Sequence, residues 1–205
     1  MRPVPMRLIA GRAHYETVVE AVMRARRSVW IATANVKELM VRDARVRPGR
    51  ARARGASYRS ILAVLDELAS RGVELRLLHA RVPSLAFREE LERQPRLLGG
   101  GLEMRLCPRV HLKAVVVDAE LLYLGSANWT GAGLGVKGSG RRNFEIGIVT
   151  TDDAVIDDVQ ALYESIWTGD PCGRCRLRHV CPAPLDGREP ATHVASGLRS
   201  GSRSA

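Results

Sequence analysis

A histidine, a lysine, an aspartate, a Gly–Ser pair and an asparagine stand at fixed intervals in the middle of this chain. The segment HLKAVVVDAELLYLGSAN carries His111, Lys113, Asp118, Gly125, Ser126 and Asn128 in the pattern H-x-K-x4-D-x6-G-S-x-N, which occurs once. Near neutral pH a histidine acts as nucleophile or as proton donor, according to its protonation state. Lysine adds a fixed cation, and asparagine adds a neutral amide donor. Such a set suits attack on an anionic centre, where positive and N–H groups must surround the oxygens that gain charge.

The neighbouring residues indicate how these side chains are held. RVHLKAVVVD is rich in β-branched residues and reads as a buried strand. Side chains alternate faces along a strand, so His111 and Lys113 are expected to point the same way. Asp118 has the opposite parity and falls at the strand's end, which suggests a structural anchor and not a ligand. LLYLGSAN reads as a second strand that breaks at Gly125, with Ser126 and Asn128 in a turn opening a short helix and presenting backbone N–H groups. RRNFEIGIV reads as a third strand, with Asn143 and Glu145 on one face and Phe144, Ile146 and Ile148 on the other.

On these residues the chain resembles the phospholipase D superfamily of phosphodiesterases, over roughly residues 10–168. The resemblance implies an α/β fold: a phospholipase D-like half-unit with a mixed β-sheet flanked by helices. It implies that His111 attacks phosphorus to form a phosphohistidine, that a second histidine protonates the leaving alcohol, and that Lys113 and Asn128 hold the phosphate. It also implies that a glutamate at the place of Glu145 hydrogen-bonds a catalytic histidine. The candidate catalytic residues are therefore His111, Lys113, Ser126, Asn128 and Glu145, with Asp118 and Gly125 structural. No metal is needed for this chemistry. Family enzymes use two histidines per active site, so a single motif in 205 residues predicts a homodimer with the site on its two-fold axis.

Charge is distributed unevenly. Of 32 Lys/Arg and 22 Asp/Glu, the first 60 residues hold 14 and 4, so the whole net charge of +10 lies there. Positions 41–59, VRDARVRPGRARARGASYR, carry seven arginines and one aspartate. A basic insertion loop of this kind is an electrostatic footprint for a polyanion, and Arg45, Arg47, Arg50, Arg52 and Arg54 are its candidate contacts. The glycine-rich stretch GAGLGVKGSGRR, 131–142, lies between Asn128 and Glu145, which places Lys137, Arg141 and Arg142 at the rim of the site.

Elsewhere the hydrophobic periodicity predicts helices over His14–Arg27, from Ser57 to about Arg71, over Ser84–Arg93 and from Asp152 onward. Strands are expected over 28–36, 73–80 and 102–107. Strands alternating with helices imply an α/β sandwich. The catalytic domain is expected over 1–168, a cysteine cluster over 169–182 and a disordered tail over 183–205. His14 and His79 read as structural or surface residues.

PCGRCRLRHVCP spaces Cys172, Cys175 and Cys181 closely, with His179 among them. C-x2-C spacing favours a metal over a disulfide in a reducing compartment. The cluster resembles the C-terminal cysteines of iron–sulfur nucleases of the RecB-like group, in which a fourth cysteine comes from far upstream. Cys107 is the one other cysteine here. A structural zinc held by the three cysteines with Cys107 or His179, and a [4Fe–4S] cluster held with Cys107, both fit the residue types.

No apolar run is long enough to span a membrane and the N-terminus lacks the apolar core of a secretory signal, so a cytoplasmic location is expected. The expected partner is nucleic acid, DNA or RNA, and the expected activity that of an endonuclease. A phospholipase or phosphatidyltransferase, and a catalytically silent nucleic-acid-binding scaffold, are the alternatives.

Overall fold

The structure, a computed structural model, describes residues 2–43 and 57–187. Among the described residues, nine strands and four α-helices follow in chain order: β1 (Arg7–Ala10), α1 (Glu20–Met23, continuing a π-helical segment Tyr15–Val19), β2 (Ser28–Thr33), β3 (Met40–Arg42), β4 (Tyr58–Ser60), α2 (Ile61–Ala69), β5 (Glu74–His79), α3 (Leu85–Leu91), β6 (Glu103–Leu106), β7 (Ala114–Val117), β8 (Leu121–Gly125), β9 (Ile146–Thr150) and α4 (Asp153–Thr168). Seven strands form one mixed sheet in the order β1-β9-β8-β7-β2-β5-β6. Strands β2, β5 and β6 run parallel, and the remaining pairs are antiparallel.

Alternation along the strands splits the core in two. Val29, Ile31, Leu75, Leu77, Val115, Val117 and Tyr123 point to one face, where they pack with Val18, Val19 and Val22 of the first helical segment and Leu62, Leu65 and Leu68 of α2. Ala32, Leu78 and Ala114, with Val116 and Leu122, point to the other, beneath Ile156, Tyr163 and Trp167 of α4. Trp30, Tyr163 and Trp167 stack there at centroid distances of 5.2 and 5.6 Å, and the Arg76 guanidinium lies 4.7 Å over the Trp30 ring. The sheet is therefore flanked by helices on both sides, as the fold class requires.

Local signals account for most boundaries. Asp152 caps α4 through the Val155 N–H at 3.1 Å, and Gly169 ends it in a left-handed conformation (φ 85°). Ser84 caps α3. The cap of α2 is Ser60 and not Ser57, because Tyr58–Ser60 pairs with Met40–Arg42 as a short antiparallel ribbon. This ribbon is the base of the basic insertion; Arg45, Arg47, Arg50, Arg52 and Arg54, like 188–205 of the expected tail, lie outside the described residues. The first helix departs from regular α geometry, with a five-residue π segment before α1.

Candidate active site

The site lies at the sheet edge where β2, β5 and β6 end, where β8 breaks and where β7 and β9 begin. The strand expected over RVHLKAVVVD is shorter than the sequence suggested: β7 starts at Ala114, and His111 and Lys113 precede it in irregular chain. Pairing continues one step further through the Gly125 N–H, which donates to the Lys113 carbonyl at 3.1 Å. Freedom from the ladder lets the two side chains approach. Lys113 Nζ lies 3.2 Å from both His111 ring nitrogens and donates to the His111 carbonyl at 2.9 Å. Burial pulls the Lys113 ammonium below the ordinary lysine value, and the charge of Glu145 opposes the shift.

Asp118 stands at the opposite end of β7 and faces away from this group. Its carboxylate accepts from three successive backbone N–H groups, those of Arg26, Arg27 and Ser28, at 2.7–3.1 Å. Desolvation opposes its charge, but the N–H groups of Ser28, Arg27 and Arg26 and the Arg27 guanidinium outweigh that and lower its pKa. Asp118 and Ala119 both take positive φ (57° and 55°), and the Glu120 N–H closes on the Val117 carbonyl at 2.9 Å. These are the features of a type I′ hairpin turn.

Gly125 and Gly147 face one another across β8 and β9. A Cβ on Gly125 would strike the Tyr123 hydroxyl and come within 2.6 Å of the Ile146 carbonyl; one on Gly147 would strike the Tyr123 ring. The glycines thus admit the fully buried Tyr123, whose hydroxyl accepts from the Ala127 N–H at 3.2 Å under the Ser126–Asn128 turn. Burial pushes the Tyr123 hydroxyl pKa up to about 12. His14 packs edge-on against Tyr123 at 5.5 Å, buried, with Nδ1 3.1 Å from the Gly11 carbonyl. Burial lowers its pKa, with the Gly11 carbonyl and Glu145 opposing. His79 is buried at the end of β5, with Nδ1 2.8 Å from the Arg81 carbonyl.

Ser126 donates to the Glu145 carboxylate through Oγ and accepts from the Ile146 N–H at 3.2 Å. Asn143 Nδ2 donates to the other Glu145 oxygen at 3.0 Å. Within one chain the hydrogen bonds of Glu145 therefore go to Ser126 and Asn143, and none to His111 is present among the described residues. The strand expected over RRNFEIGIV begins only at Ile146, although Asn143 and Glu145 do meet. The turn after Gly125 opens no helix. It is held instead by a bridge between Trp129 and Val36 and by the Lys37 N–H on the Trp129 carbonyl at 3.0 Å.

Two residues that the sequence reading passed over orient Asn128. Its Oδ1 accepts from the Asn35 N–H at 3.2 Å and faces the Thr33 hydroxyl at 3.3 Å. Thr33 Oγ1 in turn accepts from the Trp129 N–H at 3.0 Å. With its carbonyl oxygen occupied, Asn128 presents its NH2 as a donor to the site. The signal was present in ATANV, where Thr33 and Asn35 interrupt an apolar strand with polar residues two apart.

The 131–142 loop folds back on itself, with Leu134 buried and the Asn143 N–H on the Ala132 carbonyl at 3.1 Å. Lys137 and Arg141 are exposed on it, and Arg142 reaches toward Gly11. The one-sided charge of the first 60 residues is partly offset in space: Arg2 pairs with Asp152, Arg27 with Glu120, and Arg59 with Glu67.

The four cysteines carry free thiols and are half-buried. Burial pushes the Cys107 thiol up; the Arg109 N–H opposes this, and Cys172, Cys181 and Cys175 add to it. The Leu177 N–H and, against some burial, the Arg109 side chain hold the Cys175 thiol down. Among the described residues no three His, Cys, Asp or Glu side chains stand at the spacing of a formed ion site.

The chain matches the family described as cardiolipin synthase, PLD-like domain, over residues 18–167, a span containing every motif residue. It belongs to the phospholipase D superfamily of phosphodiesterases. A comparison with curated proteins found no match. Among solved structures the chain is similar to NucT from Helicobacter pylori, at 17% identity and a TM-score of 0.53, covering 80% of this chain and 95% of that one. It is also similar to Nuc from Salmonella typhimurium, a phospholipase D family member, at 15% identity and a TM-score of 0.54, covering 81% and 95%. A third, TrmBL2, an archaeal chromatin protein that binds DNA, shares 15% identity at a TM-score of 0.51 over 82% of this chain and 54% of its own. These likenesses show the fold. No helix among the described residues is long and apolar enough to cross a membrane.

Proposed function

We propose that this phospholipase D superfamily member is a metal-independent nuclease acting as a homodimer. The observation that carries the chemistry is the gathering of His111, Lys113 and an oriented Asn128 amide at one sheet edge. In this reading His111 of one protomer attacks phosphorus and the ester P–O bond breaks. The partner's His111 gives its proton to the leaving oxygen. That same histidine then takes a proton from water, whose oxygen attacks the phosphohistidine, releasing the phosphate ester and restoring the first imidazole. Lys113 and Asn128 offset the charge that builds on the phosphoryl oxygens. Ser126 and Asn143 hold Glu145 beside the group, where a carboxylate steadies an imidazolium.

Two features support the dimer. The chain has one motif histidine where the mechanism uses two. Beside Glu145, Phe144 is fully exposed and Ile146 is 55% exposed, with Leu8 on the adjoining edge strand 65% exposed. Side chains of this kind suit burial against a second copy. Nucleic acid is favoured as substrate by the seven arginines of positions 41–59 and by Lys137, Arg141 and Arg142 near the site.

The test is cleavage of labelled DNA and RNA, and head-group release from liposomes, all in EDTA. Nucleic-acid cleavage that survives chelation and disappears in His111→Ala is the expected result. Head-group release without nuclease activity would make the protein a lipid enzyme, and salt-sensitive binding without turnover would make it a scaffold.

A further inference from the structure

The C-terminal segment after α4 has little core of its own. It consists of two single 3-10 turns, Asp170–Arg174 and Arg178–Val180, neither with a buried residue. It nevertheless folds back onto the turn after β6, where the Arg105 guanidinium donates to the Trp167 carbonyl at 2.6 Å and lies 3.4 Å from that of Leu185. Cys107, Cys172, Cys175 and Cys181, distant in sequence, line one cavity there of about 20 Å³. His179 does not line it and is exposed.

We propose that Cys107, Cys172, Cys175 and Cys181 hold a thiophilic metal centre through four thiolates. Beyond the shared cavity, two observations point to it. In each of the two contributing segments a backbone bond three residues on closes a turn at a cysteine: the Val110 N–H donates to the Cys107 carbonyl at 2.9 Å and the Arg178 N–H to the Cys175 carbonyl at 3.0 Å. Such turns fix the two cysteines at the cavity before any ion binds. Second, the walls are apolar (Leu106, Leu177, Leu185) apart from Arg109 and Arg178. Four thiolates on Zn²⁺ carry a net charge of −2, as do four on a [4Fe–4S]²⁺ core, and the guanidiniums of Arg109 and Arg178 at the wall, the latter shared with Asp186, offset part of either one. Arg178 also pairs with Asp186 at 2.7 Å, which anchors it at the cavity. Binding would draw the sulfurs to the ligand spacing they lack at present, in the way metal loading completes a small fold.

The position gives the centre a role. The Val110 N–H bonds the Cys107 carbonyl at 2.9 Å, and His111 follows directly. A centre at Cys107 therefore fastens the turn that delivers the nucleophile, while standing apart from the phosphate site.

The full chain, purified anaerobically, should contain about one zinc, or about four irons with matching sulfide and a visible charge-transfer absorbance. Zinc and iron–sulfide content distinguish the two forms, and either supports the proposal. Cys107→Ser and Cys181→Ser should each lose most of the metal, and metal retained at full level in Cys107→Ser overturns the four-cysteine set. If these variants fail to fold, Co²⁺ titration of stripped wild-type protein gives an independent reading through the ligand-field bands of a tetrahedral thiolate site. Four freely titratable thiols, with no metal on isolation and none taken up from zinc or from iron plus sulfide, overturn the proposal altogether.

Discussion

Asn128 turns its side-chain oxygen to the Asn35 N–H at 3.2 Å, which leaves the NH2 as the free end of its amide. The NH2 is a useful donor to a phosphoryl oxygen only while the carbonyl is held behind it. Asn128→Asp should lower kcat by about 10²–10³-fold, the cost of losing a donor to developing charge. Thr33→Val, which removes a neighbour of the same oxygen, should cost less and leave substrate affinity nearly unchanged. Separate kcat and KM values for the two variants check this; equal losses would remove the distinction between a contacting and a positioning residue.

Asp118 predicts an acid-labile fold. Its folded pKa is lowered, so its stabilising contribution is present above the ordinary aspartate value of about 3.8 and is lost as pH falls through the lower folded value. Asp118→Asn retains one acceptor oxygen and tolerates positive φ, but lacks the charge that faces three N–H groups. It should destabilise by about 1–3 kcal/mol at pH 7 and flatten the acid limb of stability. Denaturant unfolding from pH 3 to 7 measures both.

Glu38 behaves in the opposite sense. Both its carboxylate oxygens are buried without a well-formed hydrogen bond, although the Ser60 hydroxyl and the Leu39 and Ile61 N–H groups are near. Desolvation, added to by Glu90 and opposed by Ser60, raises its pKa from 4.5 to about 7. A raised carboxyl contributes most below the unfolded value, and that contribution is lost as pH rises from 4.5 through about 7. Glu38→Gln should therefore be more stable than wild type at pH 8, by at most about 3 kcal/mol, and similar to it near pH 4. A wild-type-like pH profile in the variant would assign the dependence to another group.

The exposed Phe144 and Ile146 make a prediction about assembly. Phe144→Asp combined with Ile146→Asp should yield a folded monomer with little activity, because both side chains face outward in the single chain. Sedimentation and unfolding together test this. An active monomer would refute the dimeric site.

The fold class was legible in the alternation of strands with helices and in the family resemblance, most element boundaries in the hydrophobic periodicity, and the separation of Asp118 from His111 and Lys113 in its place at the far end of a β-branched run. The location of β7 was not. Strand propensity continues through Val110 and Leu112, but pairing with β2 ends at Ala114 opposite Ala32, and tertiary context overrides propensity. The cap at Ser60 was missed because the ribbon of β3 and β4 is formed by residues on either side of a long insertion, beyond the reach of a local window. Thr33 and Asn35 were missed for a related reason: their role depends on a partner more than ninety positions away. The resemblance to iron–sulfur nucleases, with its distant fourth cysteine, offered Cys107 beside His179 as a partner of the C-terminal cysteines; that Cys107 and not His179 lines their cavity needed the structure.

The spacing of the motif can be read as a set of lengths. The four residues between Lys113 and Asp118, Ala114–Val117, are the whole of β7. The six between Asp118 and Gly125 are the two remaining turn residues, Ala119 and Glu120, followed by Leu121–Leu124 of β8. Asp118 clamps one end of this hairpin to the start of β2, and Lys113 emerges at the other beside Thr33, where β2 stops. A single inserted or deleted residue in β7 would shift its register against β2 and β8 and so displace the segment carrying His111 and Lys113, while leaving every side chain in the motif present. The intervals are thus a ruler built into the chain, measuring the distance from Asp118 to His111.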